Sequence, residues 1–261
     1  MPELADVLTP TLAALCGFAF LAGFIDAVVG GGGLVQLPAL FVLMPETAPA
    51  VLLGTNKFAA IWGTASATLT YARHVAIDRQ LVLPAGLAAA ACSFAGARAV
   101  SAMGDATLKP LLLVLMAAML LYTLWKKDLG ARHAPTLSPP RQALAGVVIG
   151  SAVGFYDGFF GPGTGSILIF AFVGLFGFSF LAASASARAV NTITNVAALG
   201  WFVSSGSVLY SCAIPMAVFN VAGALCGARL AMARGSGFVR LLFVVVVSAL
   251  MLRFGRDIIG G

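Results

Sequence analysis

"GFIDAVVGGGG", residues 23–33, places an aspartate and four consecutive glycines inside a long apolar run. A second stretch of the same kind, "GFYDGFFGPGTGS", occupies residues 154–166. Glycine runs do not sustain a helix, since each glycine costs about 1 kcal/mol against alanine. Whether these stretches are surface loops or breaks at membrane depth decides the fold.

Composition settles that question. The 261-residue chain is 61% hydrophobic and 9% charged, with a mean hydropathy of +1.03. A soluble globular chain carries about 25% charged residues. Apolar runs approaching the roughly 20 residues that span a bilayer recur at 11–29, 34–44, 50–72, 80–103, 107–125, 142–160, 165–180, 182–204, 208–231 and 238–254. The pattern predicts an all-α polytopic membrane protein. The alternating strands of a membrane β-barrel are missing from it. The opening "MPELAD" is acidic and lacks the basic region of a signal peptide, so 11–29 is expected to belong to the fold.

The net charge of +6 does not point to nucleic acid, because the basic residues gather at the ends of apolar runs, where they set topology. Cys16, Cys92, Cys212 and Cys226 fall inside apolar segments without CxxC or metal spacing. They read as small buried hydrophobes. His74 and His133 lie in polar loops and read as surface residues. Neither a metal site nor a cofactor is expected.

The chain reads as a duplication. Gly23 falls on Gly154 (154 − 23 = 131), and the same spacing carries Asp26 onto Asp157, Gly30 onto Gly161 and Gly32 onto Gly163. Without a gap it carries Pro84 onto Pro215, "GAR" at 96–98 onto 227–229, Lys57 onto Arg188 and Lys109 onto Arg240. Matches among Asp, Pro and Arg are informative in so apolar a chain. Residues 1–125 form the first repeat, 126–141 a polar cytoplasmic linker and 142–261 the second repeat.

Charge suggests that the halves are inverted. The loop at 73–79 carries Arg73 and Arg79, whereas its copy near 204–210 carries no charge. Basic loops tend to be cytoplasmic, so the two loops are expected on opposite faces. That needs an odd number of crossings per half, and five fits. The N-terminus is then periplasmic. Arg73, Arg79, Lys126, Lys127, Arg132, Arg141, Arg229, Arg234 and Arg240 lie inside, with Arg98, Lys109, Arg253 and Arg256 outside. Run 34–44 is short for a crossing, so re-entrant or broken helices are expected. Inverted repeats with broken helices mark secondary transporters.

Irregular backbone at bilayer depth is tolerated only where protein buries it or a wet cavity adjoins it. Gly30, Gly31, Gly32 and Gly33, and the stretch with Gly161, Gly163, Thr164, Gly165 and Ser166, are therefore expected to break their helices beside a protein-lined site. A helix N-terminus opened there favours anions. The competing reading is close helix packing through small residues. For Asp26 and Asp157 three readings are open: caps for the loosened loop amides, proton-coupling groups, or ion-pair partners of Lys57 and Arg188. Lys57 and Arg188, with the amides of Asn56, Asn191 and Asn195, are the donors an oxyanion requires. Interface anchoring of the two cations is the alternative.

"GFIDAVVGGGGLVQLPAL" with "GTNK", then "GFYDGFFGPGTGSILI" with "NTITN" and "GALCGARLA", resembles the TauE/SafE sulfite exporter family, also called TSUP permeases, from about Leu12 to Asp257. The resemblance implies a multi-pass anion transporter of the bacterial inner membrane, acting on sulfite, sulfonates or other small anions. It implies substrate-binding roles for both glycine motifs, Asn56, Lys57, Asn191 and Asn195. Arg188 stands where lysine is common, so charge is kept while geometry changes. The expected partners are a small sulfite-like anion and the lipid bilayer, with a homodimer also open. Rival readings are an anion channel of the same fold, an uptake permease, and an intramembrane aspartyl hydrolase. The hydrolase lacks its second expected motif, since "GPGT" ends in threonine rather than GxGD, and no enzyme motif such as HExxH or GxSxG is found.

Overall fold

The computed structural model describes residues 10–125 and 137–234. Among these residues the protein is entirely helical, a polytopic α-helical membrane fold. The first half comprises α1 (Pro10–Val29), α2 (Gly33–Leu43), α3 (Pro49–Ala72), α4 (Arg79–Ser101) and α5 (Asp105–Trp125). Of the second half, α6 (Pro139–Phe159), α7 (Thr164–Phe176), α8 (Phe180–Ser204) and α9 (Tyr210–Arg234) are described. The apolar run 238–254, most of the linker, His133 and the Lys109–Arg240 match fall outside the described residues.

Helix limits follow from local chemistry. Pro49 opens α3, where a missing N–H is harmless. Asp78 caps α4 by accepting the amides of Gln80 and Leu81, and Ser179 caps α8 by accepting that of Ala182. α1, α4 and α9 (over Tyr210–Ala233) are long and apolar enough to cross a membrane. α2 and α7, at 11 and 13 residues, are too short to cross one. α3 and α8 are long but carry buried charge, Lys57 and Arg188. The helix starts repeat at the sequence spacing. α3 and α8 begin at Pro49 and Phe180, α4 and α9 at Arg79 and Tyr210.

The halves are exchanged rather than side by side. α1 packs on α9, and α6 packs on α4. Glycines permit both contacts. A Cβ on Gly150, Gly154 or Gly158 of α6 would overlap the backbone of Ala85, Ala89 or Ser93 of α4. A Cβ on Gly223 or Gly227 of α9 would overlap the carbonyls of Phe20 or Phe24 of α1. Residue numbers rise together in each pair, so the paired helices run parallel. α3 and α8 cross in the middle, and each touches the partner half's fourth helix. The close-packing role of glycine is therefore real along these helices.

Of the four cysteines, Cys16 and Cys212 are buried, while Cys92 is half-buried and Cys226 exposed. The expectation of buried cysteines fails for Cys226, which lies on the outer side of α9. His74 is exposed and its ring Nδ1 lies 2.9 Å from the Thr70 carbonyl.

Candidate functional site

The two glycine stretches break their helices and meet each other. α1 stops at Val29, Gly30 takes φ +78°, and α2 starts at Gly33. α6 stops at Phe159, Gly161 and Gly163 take φ +92° and +84°, and α7 starts at Thr164. These are left-handed conformations that side chains resist. The breaks are shorter than the motifs, because Gly33, Gly165 and Ser166 already lie in helix. Gly33 and Gly165 are glycines for another reason: the backbones of Gly30 and Gly165 touch, and a Cβ on Gly33 would sit 2.9 Å from Pro162. Ser166 locks the contact, its amide donating to the Gly30 carbonyl (3.1 Å) and its hydroxyl to that of Val29 (2.6 Å). Thr164 turns its hydroxyl back onto the Gly161 carbonyl at 2.7 Å. The amide of Leu34 likewise closes onto the Gly31 carbonyl.

Behind the junction stand two ion pairs that cross between the halves. Lys57 Nζ, on α3, lies 2.8 Å from Asp157 Oδ2 on α6 and donates to Asn195 Oδ1 at 2.9 Å. Arg188 Nη1, on α8, lies 3.9 Å from Asp26 Oδ2 on α1. Its guanidinium donates to the carbonyls of Asp26 and Ala27, both at 2.6 Å. It also lies over the Tyr71 ring, 4.8 Å from the centroid. Lys57 is 3% exposed and Arg188 1%. Arg188 thus serves the last carbonyls of a broken helix, where a cation is favoured. Lys57 sits beside Gly161, at the same end of α6.

Asp26 has two duties. Its Oδ1 accepts the Gly32 amide and its Oδ2 the Thr64 hydroxyl, both at 3.3 Å. The capping and ion-pair readings therefore hold together for Asp26. Asp157 shows the ion pair.

The glycine motifs, Thr164, Ser166, Lys57, Arg188, Asn195 and both aspartates gather around one junction. Asn56 faces α2, its carbonyl accepting from Gln36 Nε2 at 3.4 Å. Asn191 does not join a described side-chain partner: its Oδ1 and the Asn56 Oδ1 are buried without a hydrogen bond among the described residues. Sequence reasoning missed Thr64, Gln36, Asn220 and Tyr71. Gln36 and Asn220 carried one signal, being amides whose partners at the repeat spacing, Ile167 and Ala89, are apolar. Among the described residues no cluster of His, Cys, Asp and Glu is arranged to hold a metal.

The family model "Sulfite exporter TauE/SafE" matches residues 15–254. The chain is 38% identical over 252 residues to a probable membrane transporter protein, ORF9, of Sinorhizobium sp, covering 97% of this chain and 95% of that protein. It is 36% identical to a probable membrane transporter protein of Haemophilus influenzae, covering 94% of each. It is also 36% identical to the probable membrane transporter protein YfcA of Escherichia coli K12, covering 94% and 90%. No solved structure matches it. On this match of family model and relatives over nearly the whole chain, the chain belongs to the TauE/SafE sulfite exporter family of membrane transporters.

Proposed function

We propose that the protein is a secondary transporter that exports small sulfur-containing oxyanions, sulfite or organosulfonates, across the bacterial inner membrane by alternating access. One observation carries the reading: Lys57 and Arg188 are buried cations at a junction of two helix breaks, each facing a carboxylate of the opposite half. A carboxylate is itself an oxyanion, so a substrate oxyanion is the ligand able to take its place. The amide and hydroxyl of Ser166 are spent on the closed contact, while the Thr164 hydroxyl and the first-turn amides of α2 bond to carbonyls of their own breaks. Parting the two tips would free Ser166 for substrate oxygens, together with Asn191 and Asn195.

Inverted halves supply the movement. The chain doubles back after Gly30, bringing Gly32 against Ala22 and Asp26. This turn makes α2 a return segment lying back along α1. Rocking of one half against the other would open the junction to each side in turn. An inside-negative potential favours anion exit by about 2.3 kcal/mol per charge per 100 mV, so export needs no coupled proton. Contact between the tips supports a carrier over a standing channel. Separate cations for Asp26 and Asp157 support transport over hydrolysis, which needs two carboxylates sharing one proton.

The test is counterflow in proteoliposomes loaded with sulfite. Saturable uptake of labelled sulfite is expected, and it should vanish in a correctly inserted Lys57→Met/Arg188→Met protein. Wild-type flux in that double variant would sink the assignment. Conductance without counterflow would replace the carrier by a channel.

A further inference from the structure

A chain of buried amides lies beside the junction on one side only. Asn220 Nδ2, on α9, donates to Gln36 Oε1 at 2.8 Å. Gln36 Nε2 reaches the Asn56 carbonyl, and the Asn56 Oδ1 is left without a partner. Gln36, Asn56 and Asn220 are 1%, 4% and 3% exposed. Gln36 stands in the first turn of α2, its amide bonded to the Gly32 carbonyl of the break. Asn56 adjoins Lys57 in sequence.

The fold itself does not require this chain. At the repeat spacing, Gln36, Asn56 and Asn220 fall on Ile167, Ala187 and Ala89. Room has also been made for it. A Cβ on Gly63 would overlap the Asn220 amide, and the residue equivalent to Gly63 is Thr194. Three amides and a cavity-making glycine thus replace apolar or larger residues in one lobe. A buried acceptor left unmet is unfavourable unless something supplies a donor.

We infer that Asn56, held by Gln36 and Asn220, is a subsite that accepts a hydrogen bond from a donor group, such as a hydroxyl, carried by the transported anion. Asn56 Oδ1 reads the uncharged end while the cations face the oxyanion. Gln36 and Asn220 are positioning residues, Gln36 holding the Asn56 backbone carbonyl and Asn220 holding Gln36. The inference rests on the transport reading above and sharpens its substrate class to short anions bearing a donor.

The test compares 2-hydroxyethanesulfonate with propane-1-sulfonate, anions of similar size with and without a hydroxyl, as competitors of sulfite counterflow. The wild type should prefer the hydroxylated anion roughly tenfold, about the worth of one hydrogen bond to a buried acceptor. In Gln36→Ile/Asn220→Ala, which copies residues of the other lobe, the preference should fall to about one while sulfite exchange persists, and in Asn56→Ala it should likewise be lost in whatever sulfite exchange remains. Equal competition in the wild type overturns the subsite and leaves sulfite transport standing. So does a preference undiminished in both variants, which is the result expected if Asn56 holds only a water. Absence of sulfite exchange in the folded wild type removes the transport reading, and the subsite falls with it. If Asn56→Ala does not insert, the two-lobe copy decides alone.

Discussion

Gly30 is the residue on which the junction turns, because its φ of +78° and its contact with Gly165 both exclude a side chain. Gly30→Ala is expected to lower the unfolding temperature in detergent and to abolish counterflow. The left-handed conformation alone costs about 1–2 kcal/mol for alanine, and the clash adds to it. Gly174, on α7, has open space around it and serves as the control: Gly174→Ala should be neutral or slightly stabilising. The crossed ion pair predicts a different pattern. Lys57→Met alone strands the Asp157 carboxylate and should cost about 3–5 kcal/mol, whereas Lys57→Met/Asp157→Leu should recover much of that loss. A double-mutant cycle on thermal unfolding measures it, and additive losses would mean that the pair is not energetically coupled. The aspartates and glycines were legible in sequence because such residues stand out against an apolar background. Their crossing was not, since a spacing of 131 residues says which positions are equivalent and nothing about which ones touch. A single amide such as Gln36 in an apolar run says nothing in sequence about the neighbours it meets.

At the scale of the helix, apolar runs map closely onto elements. Run 34–44 became Gly33–Leu43, and run 50–72 became Pro49–Ala72. Lipid is the reason: a run ends where polar backbone must find water, so its limits are written in composition. Partner choice is written more faintly. Gly146, Gly150, Gly154 and Gly158 recur every fourth residue and mark a close-packing face of α6. They do not say that the face meets α4. Gly154→Val should push α6 off Ala89 and destabilise the fold by about 1–3 kcal/mol. A thermal shift assay of the purified protein reads that loss, and an unchanged transition would place the helices further apart than described.

At the scale of the whole molecule, inversion makes a topological prediction. Cysteines introduced at Val75 and Ser205 in a cysteine-free background should be labelled from opposite faces by a membrane-impermeant maleimide. Only the Ser205 site should react in intact cells, and the Val75 site only after lysis. Same-side labelling would mean parallel repeats and would remove the rocking mechanism. Asp, Pro and Arg matches carry the repeat reading in sequence, while the packing of α1 on α9 and of α6 on α4 was not legible there. That packing bears on how the protein is made. α1 emerges first from the ribosome, yet the helix it packs against is α9. Until some two hundred residues have been translated, the Gly23 face of α1 and the Asp26 carboxylate have neither Asn220 nor Arg188 to meet. The nascent first half must therefore be sheltered within the insertion machinery, or wait loosely in lipid, and truncation before α9 should leave a chain marked for degradation rather than a folded half.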